Sequence, residues 1–311
     1  MPNILRIENV SKKINNNIIL NEISFSIEIG EIFGLLGPNG SGKSTLMRII
    51  SGVLDATSGT VYLNDKDTRQ SRKEAKTKIV MVPQEFAFFS ELSVKENLDY
   101  FASQINAGQK RVNEVIDSLE LRKFSATPAE YLSGGYKRML NIAISLLQNP
   151  EIIFLDEPSV GLDPVIRREL WDRILEIRAK GITVCISTHY MEEATALCDK
   201  VCLIQGGKIF ALDTPENLTK KFANEQVGVF TLKQLPDEKL VSKITQRIKG
   251  TEASIFGTSI VVKFPEKNLE LTEAAKSAIE SSGYEILKLR IKEADLEQAF
   301  INLTGKQLTE N

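Results

Sequence analysis

The sequence has few residues of the types that usually build metal or disulfide sites. Its 311 residues include one histidine, His189, and three cysteines, Cys185, Cys198 and Cys202. The cysteine number is odd and the C-x-x-C spacing is absent, so we expect buried free thiols rather than a disulfide or a metal site. A lone histidine is usually a surface residue or one with satisfied hydrogen bonds, and by itself it indicates no site.

The sequence also lacks a block of one charge and a long apolar run. Lys and Arg number 39 against 41 Asp and Glu, a net charge of -2 with the signs intermixed, so nothing indicates nucleic acid as a partner. The first ten residues show no signal-peptide pattern, and no run approaches the roughly 18 apolar residues of a membrane span. We expect a soluble, cytoplasmic chain, long enough for two domains.

The first two thirds of the chain predict an α/β fold. The stretch SFSIEI alternates Phe25, Ile27 and Ile29 with polar residues, as a half-buried antiparallel strand does. Buried strands follow at EIFGLLG, EIIFLDE and ITVCIST, and helices at GKSTLMRII, ended by Gly52, and at PVIRRELWDRILEIRAK, between Asp163 and Gly181. A helical insertion is expected over about 86–150, in which SVKE forms a capping box.

The last part of the chain has a different pattern. From about 225, the segments VGVFTLK, DEKLVSKITQRI, ASIF, SIVVKF, LTEAAKSAIESS and YEILKLRI predict the order β-α-β-β-α-β of a ferredoxin-like unit, with a final helix ADLEQAFINLT. We therefore expect an α/β domain at 1–224 and a small α+β domain at 225–311, behind the linker DTPENLTKKFANEQ. A packing or dimerisation module without a ligand site is the alternative for the small domain.

The strongest chemical signal is the stretch GPNGSGKST, which fits the phosphate-loop pattern G-x-x-x-x-G-K-[ST] between a strand and a helix. Its glycines let successive backbone N–H groups face phosphates, Lys43 neutralises the β- and γ-phosphates, and the Ser44 hydroxyl can ligate Mg²⁺. The sequence therefore predicts nucleoside triphosphate binding. The residues assigned to the nucleotide are Gly37, Pro38, Asn39, Gly40, Ser41, Gly42, Lys43, Ser44 and Thr45.

Two acids follow the apolar strand in IIFLDEP. The carboxyl end of a buried parallel strand delivers such residues into the ligand crevice of an α/β sheet. We expect Asp156 to hold Mg²⁺ through water and Glu157 to polarise the attacking water. Alone, such a pair more often ends a solvated strand, but the phosphate loop reverses this preference.

A second glycine-rich loop, in YLSGGYKRM, precedes an apolar helix but has no acid, base or second anchor nearby. Glycines and a hydroxyl at a helix start make backbone N–H groups available to an anion. An ordinary glycine turn is the alternative. The ligand of such a loop is not evident from its own neighbourhood.

With this loop, the sequence over roughly 5–215 resembles the ATP-binding subunits of ABC transporters. The five residues from Leu132 to Tyr136 look like that family's signature loop, and the motif order also agrees: phosphate loop, Gln84 in VPQE, signature, Asp156-Glu157, the turn SVGLD and His189. The resemblance implies a P-loop fold of ABC type with an antiparallel β subdomain, and head-to-tail pairing of two such subunits, identical or closely related.

The resemblance also implies roles for the remaining motifs. Ser133, Gly134 and Gly135 would grip the γ-phosphate of the partner's ATP, and His189 would contact the γ-phosphate in its own site. Gln84 would touch Mg²⁺ and the attacking water and sense the membrane subunit. Asp163, at the end of SVGLD, is counted among the residues at the nucleotide.

Two residues depart from the family pattern. Ile14 stands where an aromatic residue usually stacks on adenine, so the base contact would be aliphatic and weaker. Tyr136 replaces the usual signature glutamine and cannot offer the same amide contacts, so coupling between the subunits is expected to differ. Neither change removes a group that hydrolysis needs.

The ending EADLEQAFINLTG and its small domain look like the branch that serves exporters of drugs, polysaccharides, lipids or sodium. We therefore expect an ATPase subunit on the inner face of the membrane, energising separate permease subunits, with export favoured over import. The alternatives are a non-transport ABC ATPase acting in DNA repair or translation and a small-molecule kinase. The insertion lacks the sustained heptads of repair arms, each motif occurs only once, and the signature loop argues against a kinase.

Overall fold

The computed structural model describes residues 2–223, 225–266, 268–293 and 295–304. Its described residues divide into two compact units, 2–215 and 216–304. The segment 213–226, which the sequence suggested as a linker, contains a helix, α8, Pro215–Phe222, with Leu218 buried. Each unit is described separately below.

The first unit contains an antiparallel sheet of order β2-β1-β4-β5. Phe25 and Ile27 of β2 are buried and alternate with more accessible residues, as predicted, but Ile29 lies beyond the end of the strand and is exposed. The inward side chains join one core with those of the neighbouring central sheet. The strands are β1 (Asn3–Ile14), β2 (Asn17–Glu28), β4 (Ser58–Leu63) and β5 (Lys66–Asp67).

The central sheet has the order β10-β9-β3-β8-β7-β6, with β9, β3, β8, β7 and β6 parallel and β10 antiparallel at one edge. Every residue of β3, β7 and β8 is buried, as expected of parallel strands covered on both faces. The strands are β3 (Ile32–Leu36), β6 (Ile79–Val82), β7 (Ile152–Asp156), β8 (Thr183–Thr188), β9 (Lys200–Gln205) and β10 (Lys208–Asp213).

The helix boundaries of this unit follow from their capping residues. Ser93 and Glu96 form the predicted capping box, Asp163 caps the helix that begins at Pro164, and Gly52 and Gly181 follow helix ends with φ of 72° and 88°. The helices are α1 (Lys43–Ile50), α2 (Arg72–Lys78), α3 (Val94–Gln104), α4 (Gln109–Ser118), α5 (Gly134–Leu146), α6 (Pro164–Ala179) and α7 (Met191–Leu197).

The second unit has the element order β-α-β-β-α-β, and its antiparallel sheet has the order β12-β13-β11-β14. Helices α9 and α10 pack on one core with this sheet, around Phe230, Ile244, Val262 and Ile279. The elements are β11 (Gln226–Leu232), α9 (Glu238–Arg247), β12 (Glu252–Phe256), β13 (Ser259–Phe264), α10 (Leu269–Glu280), β14 (Ile286–Glu293) and α11 (Leu296–Thr304).

Two further expectations can be compared with the structure. All three cysteines are free and buried, as predicted, and burial raises the pKa of each thiol. In the part of the chain that the structure describes, no helix combines the length and apolar character needed to cross a membrane.

Candidate functional site

Four predicted site segments leave the carboxyl ends of adjacent parallel strands. The phosphate loop follows β3, Glu157 follows β7, and His189 follows β8, while Gln84 lies two residues after β6. Because parallel strands end at the same edge of a sheet, the fold gathers these segments although they are distant in sequence. The sheet edge is therefore where a ligand of these residues would bind.

The phosphate loop has the backbone geometry that its glycines allow. Gly40 and Gly42 have φ of 77° and 106°, in the left-handed region that residues with a Cβ rarely adopt. A Cβ on Gly37 would lie 2.0 Å from the carbonyl oxygen of Ile204, so the start of the loop passes too close to β9 for any side chain. These glycines shape the loop around the space beside it.

The loop borders an open cavity of about 450 Å³. Gln84 and Glu157 also line this cavity, so three separate motifs share one space that is within the size range of small-molecule sites. The residues around it are Ile19, Asn39, Gly40, Ser41, Gly42, Lys43, Ser44, Thr45, Gln84 and Glu157.

Lys43 is held at the base of the loop. It is 5% exposed, and its Nζ donates to the carbonyl oxygens of Gly37 at 2.7 Å and Pro38 at 3.1 Å. Burial lowers the pKa of this ammonium, and the nearby Glu157 and Asp156 carboxylates oppose that shift. The site thus presents a desolvated positive charge that an anionic phosphate can pair with.

The first carboxylate, Asp156, faces the Ser44 hydroxyl, which donates to its Oδ1 at 3.1 Å. Ser187 Oγ donates to the same oxygen from β8. A hydroxyl and a carboxylate are oxygen ligands of the kind that Mg²⁺ prefers, usually together with substrate phosphates. Within the described ranges no cluster of three or more His, Cys, Asp or Glu could hold a metal.

The second carboxylate, Glu157, lies between the Lys43 amino group and the His189 imidazole. Its Oε1 is 3.8 Å from Lys43 Nζ and 3.4 Å from His189 Nδ1. Its backbone N–H donates to Ser187, to the carbonyl oxygen at 3.1 Å and to Oγ at 3.0 Å. The sequence analysis did not identify Ser187, although a serine two residues before His189, near a strand end, was an available signal.

The second glycine loop forms the start of α5. Ser133 is the N-cap residue, and its Oγ accepts from the Tyr136 N–H at 3.5 Å. Ser133 and Gly134 are exposed, whereas a Cβ on Gly135 would lie 1.9 Å from Cγ2 of Ile166. None of the three residues lines the phosphate-loop cavity. In the described part of one chain, the two predicted phosphate-binding loops therefore do not share a cavity.

The two departures from the family pattern have clear surroundings. The Tyr136 ring lies 4.3 Å from that of Phe124, and its hydroxyl donates to Glu169 on α6 at 3.4 Å. Ile14 pairs with Asn17 at the end of the β1–β2 hairpin, is 44% exposed, and is not among the residues around the cavity, where Ile19 lies instead.

Asp163 has a structural role in this chain. Its Oδ1 accepts from the N–H groups of Val165 and Ile166 at 3.0 and 3.1 Å, which caps α6. It does not line the cavity either.

Comparisons with known proteins agree on one family. The ABC transporter family model matches residues 20–160. The linearmycin resistance ATP-binding protein LnrL of Bacillus subtilis is 32% identical over 98% of this chain and 99% of its own length. The Nod factor export ATP-binding protein I of Ralstonia nicotianae is 30% identical over 98% of this chain and 95% of its own.

Solved structures give the same result for the fold. An ATP-binding cassette of an ABC transporter in its ADP conformation has a TM-score of 0.63 at 28% identity, covering 71% of this chain and 95% of that one. A dimeric ATP-binding cassette in a post-hydrolysis state, bound to ADP and Pi, has a TM-score of 0.59 at 26% identity, covering 68% and 98%. The predicted P-loop fold of ABC type is confirmed.

Proposed function

The chain belongs to the ABC transporter family of ATP-binding proteins, and we propose that it powers export through separate membrane-spanning subunits on whose cytoplasmic side it sits. It binds ATP and is an ATPase, as its family membership indicates. The observation that best supports ATP hydrolysis is the position of Glu157 Oε1 beside the phosphate loop. This oxygen lies 3.8 Å from Lys43 Nζ and 3.4 Å from His189 Nδ1. Export is favoured because relatives are named for resistance and export.

The proposed reaction is attack of water on the γ-phosphate of ATP. Loop N–H groups and Lys43 would bind the β- and γ-phosphates, which fixes the reacting phosphorus and neutralises its charge. Glu157 would accept a proton from the attacking water while ADP leaves, and His189, which contacts Glu157, would hold that carboxylate and the γ-phosphate in place. Gln84, on the cavity wall, would orient the water.

The residues around Ser44 and Asp156 suit Mg²⁺. Bound there with the nucleotide, the ion would neutralise charge that develops on the phosphate oxygens. The chain's own part is to keep the Ser44 hydroxyl and the Asp156 carboxylate together, now joined by a 3.1 Å hydrogen bond.

We further propose that two subunits, identical or closely related, pair head to tail. Ser133 and Gly134 are exposed at the N-terminus of a 13-residue helix, where backbone N–H groups and the helix dipole favour an anion. Because they do not line the chain's own cavity, the phosphate of a partner's nucleotide is their expected ligand. The similar dimeric cassette bound to ADP and Pi supports this arrangement.

A mixing experiment tests the pairing. Ser133→Arg should block closure on the partner's nucleotide, whereas Lys43→Ala should weaken binding in the chain's own loop. In the mixed dimer one composite site carries both changes and the other carries neither, so hydrolysis should return if one intact site suffices. If Ser133 served its own chain's nucleotide, each site would carry one change and no mixture would recover activity.

The transport function needs a separate test. The full chain should hydrolyse ATP in a Mg²⁺-dependent manner and should copurify from its native membrane with a hydrophobic subunit. An ATPase that copurifies with DNA-repair or ribosomal components instead would contradict the transport proposal. The helices of the described insertion argue against the repair alternative, since α3, α4 and α5 have 11, 10 and 13 residues and form no long coiled-coil arms.

A further inference from the structure

Helix α5 begins at the signature loop and contacts the segment that contains Gln84. This segment, residues 83–87, follows β6 and is called the glutamine loop here. Arg138 Nη1 donates to the carbonyl oxygens of Pro83 at 3.2 Å and Gln84 at 2.8 Å. Arg138 is one helical turn after Gly134 and Gly135, so the same helix presents the signature residues at its start and grips the glutamine loop four residues later.

A second residue of α5 binds the same loop from the next turn. Asn141 Nδ2 donates to the carbonyl oxygens of Pro83 and Glu85, both at 3.2 Å, and Asn141 Oδ1 accepts from the Ala87 N–H at 3.0 Å. Both amide functions of Asn141 are therefore used on this loop. Together with Arg138, they bind the backbone on both sides of Gln84.

The arginine is unusual for its burial. Arg138 is 5% exposed, and burial lowers the pKa of its guanidinium. Its guanidinium carbon lies 5.3 Å from the centre of the Phe86 ring, a cation–π contact with the same loop. Burying a guanidinium is unfavourable unless its donors are used; Arg138 Nη1 donates to two main-chain carbonyl groups of the glutamine loop, whereas Nε is buried with no hydrogen-bond partner among the described residues.

We propose that Arg138 and Asn141 are positioning residues for Gln84, and that they make the glutamine loop move with α5. This inference rests on the proposed function, in which Ser133 and Gly134 contact the partner's nucleotide. Displacement of α5 by the partner's ATP would then be transmitted to Gln84 in the chain's own site. Arg138 and Asn141, together called the clamp below, would thus couple the two composite sites of the dimer through one helix.

The test compares two arginine contacts to main-chain carbonyl groups, one from the buried Arg138 and one from the partly buried Arg111. Arg138→Met keeps the length of the side chain but removes every donor to the glutamine loop. Arg111→Met is the matched control, because Arg111 Nη2 donates to the Leu146 carbonyl at the other end of α5 and does not contact the glutamine loop. Steady-state hydrolysis, ATP affinity by calorimetry and thermal stability are measured on the full chain with Mg²⁺.

For Arg138→Met we expect kcat to fall about tenfold, the rate equivalent of one charge-assisted hydrogen bond. ATP affinity should change by less than about threefold, because the clamp does not touch the phosphate loop. Arg138→Lys, which keeps the charge and can reach one carbonyl, should recover part of the rate. Arg111→Met should keep kcat within about twofold of wild type.

A double-substitution cycle with Gln84→Ala separates positioning from general structural damage. If Arg138 acts through Gln84, the double variant should be no slower than Gln84→Ala alone, whereas independent effects would multiply. Multiplied losses, or an unchanged kcat in Arg138→Met, would overturn the clamp while leaving the ATPase function in place. If Arg138→Met does not fold, Asn141→Asp is used in the same cycle, since it removes the two amide-donated bonds with little change in shape.

Failure of the wild-type chain to hydrolyse ATP would have a different meaning from a failed cycle. It would overturn the proposed function, and with it the coupling role of the clamp. Hydrolysis by wild type together with an additive cycle rejects the clamp alone, so the two failures are distinguishable.

Discussion

Lys43 is buried in the site and carries the charge expected to meet the nucleotide phosphates, which makes Lys43→Met an informative change. Methionine has nearly the length of lysine without the ammonium. In the free protein the change removes the hydrogen bonds to Gly37 and Pro38, at 2.7 and 3.1 Å, and a 3.8 Å approach to Glu157. With ATP bound, it removes the charge that the β- and γ-phosphates would meet.

The effect on ATP binding follows from this lost charge. Hydrogen bonds to a charged group contribute about 1.5–3 kcal/mol, so ATP affinity should fall about ten- to hundredfold. The loop N–H groups and the Mg²⁺ ligands remain, so binding should weaken rather than disappear.

The effect on folding should be small, and its sign follows from the pKa. Burial, the largest cause, lowers the pKa of Lys43 from its usual 10.5, so the folded protein binds this proton less tightly than the unfolded chain. Below the lowered pKa the group therefore opposes folding, and its contribution to stability improves as pH rises from the lowered value to 10.5. Removing the ammonium relieves this cost and offsets the two lost hydrogen bonds.

We therefore expect the melting temperature of the nucleotide-free variant to change by no more than about 3 °C. Calorimetric titration with Mg²⁺ and ATP measures affinity, and scanning calorimetry measures stability. Lys12→Met is the control, because Lys12 Nζ also donates to a main-chain carbonyl, that of Asp55 at 2.6 Å, but lies outside the cavity. The reasoning fails if Lys43→Met binds ATP within about twofold of wild type or if its binding defect accompanies a large loss of stability.

Three further predictions concern other parts of the chain. Glu157→Gln should bind ATP, accumulate as a dimer and hydrolyse ATP about a hundredfold more slowly, since the amide cannot accept a proton. If a single-turnover assay gives this variant the wild-type rate, Glu157 is not the base. Ile19→Ala should weaken ATP binding several-fold and Ile14→Ala should not, because Ile19 lines the cavity; the reverse order in titrations would restore Ile14 as the base contact. A chain ending at Pro215 should show a cooperative melting transition and bind ATP with the affinity of the full chain. An insoluble product would mean that the boundary of the first unit lies nearer to 224.

The site segments could be predicted because their signals are local. A run of apolar residues bounded by glycines or acids, as in EIFGLLG and IIFLDEP, indicates a buried strand and its end without knowledge of the neighbours. The phosphate loop needs glycines at fixed offsets for its backbone angles. Capping residues such as Ser93 and Asp163 determine helix starts for equally local reasons.

The remaining features depend on contacts that spacing does not reveal. Asn15 and Asn16 adopt φ of 47° and 66° and turn the β1–β2 hairpin, which brings Ile19 rather than Ile14 to the cavity. The register of the returning strand is a property of strand pairing, which the sequence pattern alone does not give, so the contact of Ile14 with the base stays a prediction. The short strand β6 and the polar helix α8 have only weak hydrophobic patterns in the sequence. On α8 the one helical signal is the spacing of Leu218 and Phe222, which are four residues apart.

The division of labour between Asp156 and Glu157 also arises from the backbone. Glu157 has φ of 46°, a left-handed conformation that costs a non-glycine residue about 1–2 kcal/mol, and its N–H is held by both oxygens of Ser187. This turn sends Asp156 towards Ser44 and Glu157 towards Lys43 and His189. Two acids that are adjacent in sequence thereby reach different partners. Because Ser187 Oγ also donates to the Asp156 carboxylate, one serine holds the side chain of Asp156 and the backbone of Glu157, so the proposed metal ligand and the proposed proton acceptor can follow each other directly in sequence.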